Sequence, residues 1–280
     1  MLKLLLALLV LSSAAFPQQY IYQYSLGKFI EASSFHINSA GFIFITDAGN
    51  NQVSKIDTLG KTLKEVGGFG WGDSQFDNPS NVYATTLNIY VADKNNHRIQ
   101  RFDKDLNFIS SLSTRENDDQ NTRFGYPLAC VISNQGDLFI LDSENKRIVK
   151  FDLFGNFIQN FGGYDYGKYS LSSPIDMAGD RNNNIYVING KKIFIYDSFG
   201  NGIGEMDGAE ELTSIKIIFN NMTINSKDNI YYFDLNKGIG RPEKLTIDLS
   251  EGAGDIKASF IFNSKLYVLS SKEIMVYQKP

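Results

Sequence analysis

Two histidines, His36 and His97, and one cysteine, Cys130, are the whole stock of imidazole and thiol groups in the 280 residues. A structural or catalytic zinc centre of the common kind takes three or four His and Cys ligands, so neither a Cys-only cage nor a His-rich site can be built from them. Cys130 lies inside the apolar run Leu128–Ile132, where a thiol reads as a small buried hydrophobe, and no activating base is evident for it. Charged pairs are more regular. Asp93 with Arg98, and Asp142 with Arg147, recur at one spacing of five residues. A ring of charged ligands would use that pattern, and so would a scaffold ion pair clipping the connection between two strands. Recurrence at equivalent places, with Gln52 where the first Arg would stand, favours the scaffold. His97 belongs to the same connection, whereas His36 lies near an innermost strand that could face a central channel. No glycine-rich phosphate loop, nucleophile elbow or His-Glu metal helix is found. The expectation is therefore no catalytic residue and no resident cofactor, with Ca²⁺ held by carbonyls and carboxylates in a channel left open.

Binding is the chemistry that the loops favour. Three of them read Gly67-Gly68-Phe69-Gly70-Trp71-Gly72-Asp73, Arg115–Tyr126 and Gly162-Gly163-Tyr164-Asp165-Tyr166. Amphipathic aromatic and guanidinium groups are over-represented at the energetic centres of interfaces. Trp71, Arg123, Tyr126, Tyr164, Tyr166 and Arg241 are accordingly the candidate ligand-binding residues, expected together on one loop-rich face. Packing between repeats is the competing use of the same aromatics.

The elements that must position these residues come from an internal repeat. IFITDAGNNQVSKID at 43–57 returns as IYVADKNNHRIQRFD at 89–103 and LFILDSENKRIVKFD at 138–152. Shorter copies begin at Ile185, Ile230 and Leu266, giving spacings of 46, 49, 47, 45 and 36 residues. Each full copy is a four-residue apolar run fit for a strand buried on both faces, a polar connection and a second strand. A turn phrase follows, DTLGK at 57–61, DLFGN at 152–156 or DSFGN at 197–201, before another strand. Four antiparallel strands at a period near 45 residues are the mark of a propeller blade. The fold class is all-β, a six-bladed β-propeller of four-stranded antiparallel blades. The last unit runs out after its third strand, and Tyr20–Leu26 is expected to supply the fourth, closing the ring and covering a bare edge.

The phrase IYVADKNNHRIQRFD resembles the NHL repeat, a hydrophobic-Tyr-Val-x-Asp run followed by Asn-x-Arg-Ile-x-x-Phe. Blades one to three match over about 130 residues, while blade four has Asn189 at the Asp position and blade six has Ser270. Blade five keeps Asp234 but follows it with Gly238-Ile239-Gly240-Arg241-Pro242. The resemblance implies a platform for proteins, peptides or RNA, and in some members a lyase. The lyases of this kind that amidate peptides rely on a zinc site built largely from histidines, which two histidines do not supply.

Composition narrows the partner. With 27 basic and 31 acidic side chains the formal net charge is −4, the wrong sign for bulk binding to nucleic acid or anionic membrane. Residues 1–15 read as a secretory signal: Lys3, an apolar run from Leu4 to Leu11, then small residues with cleavage after Ala15. That run is too short to span a bilayer. Residues 16–280 are expected to form one propeller domain, periplasmic or extracellular. The function expected is a non-enzymatic binding module for a protein, peptide or glycan. A propeller-type hydrolase or lyase with a channel metal is the alternative.

Overall fold

The computed structural model describes residues 19–238, 240–247 and 255–280, so the segment read as an export signal lies outside the described residues. Six four-stranded antiparallel sheets make up the molecule. The first strand of the chain, β1 (Ile21–Leu26), joins the last sheet. Blade one is β2 (Ala32–Ile37), β3 (Ile43–Asp47), β4 (Gln52–Ile56) and β5 (Thr62–Gly67). Blade two is β6 (Pro79–Ala84), β7 (Asn88–Asp93), β8 (Arg98–Asp103) and β9 (Phe108–Leu112). Blade three is β10 (Ala129–Ile132), β11 (Leu138–Asp142), β12 (Arg147–Phe151) and β13 (Phe157–Phe161). Blade four is β14 (Pro174–Gly179), β15 (Ile185–Asn189), β16 (Lys192–Tyr196) and β17 (Gly202–Asp207). Blade five is β18 (Leu212–Ile218), β19 (Asn221–Ser226), β20 (Ile230–Asp234) and β21 (Glu243–Lys244). Blade six is β22 (Ala258–Phe262), β23 (Lys265–Leu269), β24 (Ile274–Gln278) and β1.

Burial is greatest at the second strands and least at the rim, as the apolar runs require. The second strands β3 and β11 are buried at every residue, whereas the outer strands β5 and β9 are mostly exposed. Second strands are covered by a blade on each side, so continuous apolar stretches suit them and alternation suits the rim. The apolar interior is divided by the blades. Phe44, Val53, Val82 and Val91 join blades one and two, and Ala129, Leu141, Val187 and Phe194 join blades three and four. Phe35 meets Phe260 edge-on at 4.8 Å where blade six returns to blade one. Outer turns are set locally. Asp57 Oδ1 accepts from the amides of Leu59 and Lys61, both at 2.9 Å, and Gly60 supplies the positive φ of 85° that the bend needs. Asp152 and Asp197 repeat the arrangement.

Ring closure follows the sequence expectation. β1 pairs with β24 from Ile21 opposite Gln278 to Leu26 opposite Ile274, with one irregularity between Tyr22 and Tyr24. Removing residues 1–26 is expected to lower stability by about 2–4 kcal/mol, from lost cross-strand pairs and the lost burial of Leu26, and to promote association through the bared β24 edge. Urea denaturation and sedimentation of the shortened chain measure both effects.

Blade five departs from the expected register. Ile230–Asp234 is its third strand rather than its second, which is Asn221–Ser226. IYYFD mimics IYVAD in letters, but pairing places it one strand farther from the axis. Asp234 consequently caps the short 3₁₀ turn Leu235–Lys237, accepting from the Asn236 amide. The place that Asp93 holds in blade two is taken here by Ser226. Among the described residues, no helix is long and apolar enough to cross a membrane.

Candidate binding face

Antiparallel alternation sends the loops between second and third strands, and those leading from one blade to the next, out on the same face. In blades one to three the Asp at the end of the second strand ties the two kinds of loop together. Asp47 accepts from the amides of Ile30 and Glu31 at 2.8 Å each, and Asp93 from the Asp77 amide at 2.8 Å. Asp142 accepts from the Gly125 amide at 3.1 Å, and Asn189 does the same work for Ser172 and Ser173 at 2.9 and 2.7 Å.

The Asp–Arg pairs go further than clipping β7 to β8 or β11 to β12. Arg98 Nε donates to Asp93 Oδ2 at 2.8 Å, while its terminal nitrogens donate to the carbonyls of Trp71 (2.7 Å), Gly72 (2.9 Å) and Gln75 (2.8 Å). Asn96 adds a bond to the Gly70 carbonyl at 2.8 Å. The buried guanidinium is therefore the frame on which the Trp71 loop is folded. Arg147 plays that part for the next loop, with Asp142 at 3.3 Å and the carbonyls of Gln120 and Arg123 at 2.8 Å. Burial pushes the Asp93 carboxyl up, against the downward pull of Asn96, the Asp77 amide and Arg98.

On these frames the predicted residues sit differently. Trp71 is 72% exposed and Tyr164 93% exposed, each held by its backbone with the ring in solvent. Tyr126 has a positive φ of 46°, and its amide donates to His97 Nδ1 at 3.1 Å with the rings 4.1 Å apart. His97 therefore shapes this loop; burial, with help from the charge of Arg115, holds its pKa down and keeps Nδ1 able to accept. Tyr166 leans on Phe161 and Tyr196 at 6.4 and 6.5 Å, so part of its ring belongs to the scaffold. Arg123 Nε donates to the Asn117 carbonyl, and Arg115 meets Glu144 at 2.6 Å. Arg115, Gln120, Arg123, Glu144 and Asn145 line a polar depression of about 380 Å³ beside these loops.

Arg241 does not join them. It lies in the segment between β20 and β21, at a groove between blades four and five that is also lined by Asp207, Gly208 and Ala209 of the loop joining those blades. Phe69, exposed in the Trp71 loop, was not singled out from sequence; its place beside Trp71 in a glycine-rich loop was the available signal. The exposed Leu59, Phe154 and Phe199 were likewise missed, each at the tip of an outer turn on the opposite face.

Around the axis, the inner strands bring together His36, Tyr83, Asp176, Lys216 and Phe260. Lys216 Nζ pairs with Asp176 Oδ2 at 2.9 Å, and that oxygen also accepts from Ser214 Oγ and the Ile215 amide. The His36 ring packs on Tyr83 at 4.8 Å and Phe260 at 5.3 Å, with Nδ1 buried and without a hydrogen-bond partner. Burial pushes the Cys130 thiol up to about 12, so it stays protonated and inert. Among the described residues, no three His, Cys, Asp or Glu side chains converge as a metal site would require.

Three comparisons bear on this geometry. Residues 76–102, spanning the Trp71 loop's end, β6, β7 and most of β8, match the NHL repeat. The chain is 32% identical over 142 residues to Protein brain tumor of Drosophila melanogaster. That match takes in 49% of this chain and 13% of the length of the fly protein. Among solved structures, a streptogramin B lyase superposes with a TM-score of 0.61 at 14% identity, covering 88% of this chain and 78% of that one. A catalytically inactive virginiamycin B lyase from Staphylococcus aureus with quinupristin gives 0.63 at 14% identity, covering 91% and 82%. Identity at that level speaks for a shared fold alone.

Proposed function

We propose that this chain, an NHL-repeat six-bladed β-propeller, is an exported, non-enzymatic binding module that recognises a protein, peptide or glycan through the loops preceding blades two, three and four. One observation carries the reading: buried Arg98 and Arg147 hold two of these loops by their carbonyls, so that Trp71 projects from a pre-shaped support. Pre-ordering a loop lowers the entropy lost on binding, and an exposed indole or phenol on such a loop supplies apolar area with few torsions to freeze. Tyr164, bare on the third loop, extends the same surface.

Replacing Trp71 and Tyr164 together by alanine is expected to abolish capture of the ligand while leaving the denaturation midpoint unchanged, because neither ring packs into the core. Immobilised chain presented with a glycan array and with extracellular proteins of its source organism provides the assay. Capture that survives the double replacement removes this face from consideration. Tyr126 is a poorer target, since its backbone conformation and its contact with His97 make any change there structural as well.

A further inference from the structure

Blade five ends in an outer strand of two residues, Glu243–Lys244, where every other blade has five or six. Beside this shortened edge, a groove of about 310 Å³ opens between blades four and five. Ile193, Leu212 and Ile224 make its floor, and Ala209 lines its wall. Arg241 and Lys244 stand at its lip. An apolar hollow of this size with a few polar groups on one side is the usual form of a small-ligand site.

The charges around it are unevenly committed. Asp207 is within 3.7 Å of Lys192, and Glu210 accepts from the Tyr231 hydroxyl and from Asn229 Nδ2. Arg241 and Lys244 have no ion-pair partner among the described residues. The positive charge of Arg241 reaches the Tyr231 hydroxyl and that of Lys244 reaches Glu210, so both cations are near the groove's polar end. A guanidinium and an ammonium beside an apolar floor match one chemistry, a carboxylate carried on a compact apolar body.

We infer that the groove between blades four and five binds a small apolar carboxylate, its body on Ile193, Leu212 and Ile224 and its anionic head between Arg241 and Lys244. A free aromatic or short acyl acid presents that chemistry, and so does the C-terminal residue of a peptide. None of its lining residues belongs to the Trp71 or Tyr164 loops, so the inference does not depend on them.

Methyl-labelled full chain titrated with 3-phenylpropionate and with acetyl-Ala-Phe, each beside its amide, tests the inference by NMR. Saturable shifts of the Ile193, Leu212 and Ile224 methyls are expected with an acid, at least about tenfold weaker with the matching amide, since a charge-assisted bond is lost. R241A/K244A is expected to weaken the acid by a similar factor. Both positions are exposed, so the fold is retained. A209W, also at an exposed position, is expected to fill the groove and abolish the shifts. Shifts with phenylpropionate assign a free acid, and shifts with acetyl-Ala-Phe alone assign a peptide terminus. The inference is overturned by no saturable shift with either acid, by amides that bind as tightly, or by an affinity that R241A/K244A leaves unchanged.

Discussion

Replacing Arg98 by alanine is expected to cost about 3 kcal/mol of folding stability and to free the Trp71 loop, the larger consequence for binding. The side chain is buried, its partner Asp93 is fully buried, and three loop carbonyls take their donors from it. Removing one member of such a pair typically costs about 3–5 kcal/mol, because a buried charge is left uncompensated. Here the Asp77 amide, Asn96 and Gln100 still reach the Asp93 carboxylate, which puts the loss at the lower end. Trp71 is the single tryptophan of the chain and so reports on its own loop. Urea denaturation should show the lost stability, and the fluorescence anisotropy of Trp71 should fall in the folded variant. Arg98→Lys is expected to recover less than half of the loss, since an ammonium cannot serve a carboxylate and three carbonyls in one planar fork. An unchanged anisotropy would show that the loop is held by its own turns.

The second large effect depends on pH and comes from the axis. His36 is held down from 6.5 to about 3, first by burial and second by the positive charge of Lys216. In the folded chain the ring therefore stays neutral, while in the unfolded chain it takes up a proton as pH falls below 6.5. A lowered folded pKa of a base means that its stability is fully present above the unfolded value and is lost as pH drops from there towards the folded one. Between pH 7 and pH 5 the loss from this group is about 2 kcal/mol, at 1.36 kcal/mol per pH unit below the unfolded value. Denaturation midpoints at the two pH values, compared with those of His36→Phe, isolate the contribution. The variant is expected to lose about 2 kcal/mol less than the native chain. Equal losses in both would show that burial does not hold the His36 ring neutral in the folded chain.

Much of the architecture was legible because a propeller repeats its solutions. The spacing of IFITD, IYVAD and LFILD, and the turn phrases DTLGK, DLFGN and DSFGN, locate second strands and outer turns without reference to anything distant. Closure by Tyr20–Leu26 was readable too, since one strand was missing at one end and present at the other. Blade five was misread because IYYFD copies the letters of a second strand, and only pairing with Asn221–Ser226 reveals its rank. That slip placed Arg241 after a second strand, whereas it follows the third. The Asp93–Arg98 and Asp142–Arg147 pairs were recognised as scaffold, yet their reach to carbonyls some 25 residues earlier in the chain was invisible, since nothing in a five-residue spacing says where the far end of a guanidinium points.

What the sequence determined by itself is the periodic part: an all-β ring of six blades, its turn chemistry, and the shortage of His and Cys for metal work. Those properties depend on residue type at local spacing, which a linear text records. The tertiary structure alone decided that Trp71 and Tyr164 stand free while Tyr166 leans on the core, that His36 is caught between Tyr83 and Phe260, and that Arg241 guards a groove of its own. Each of these depends on which blade lies alongside which, and contacts between residues tens of positions apart have no signature in the spacing of neighbours.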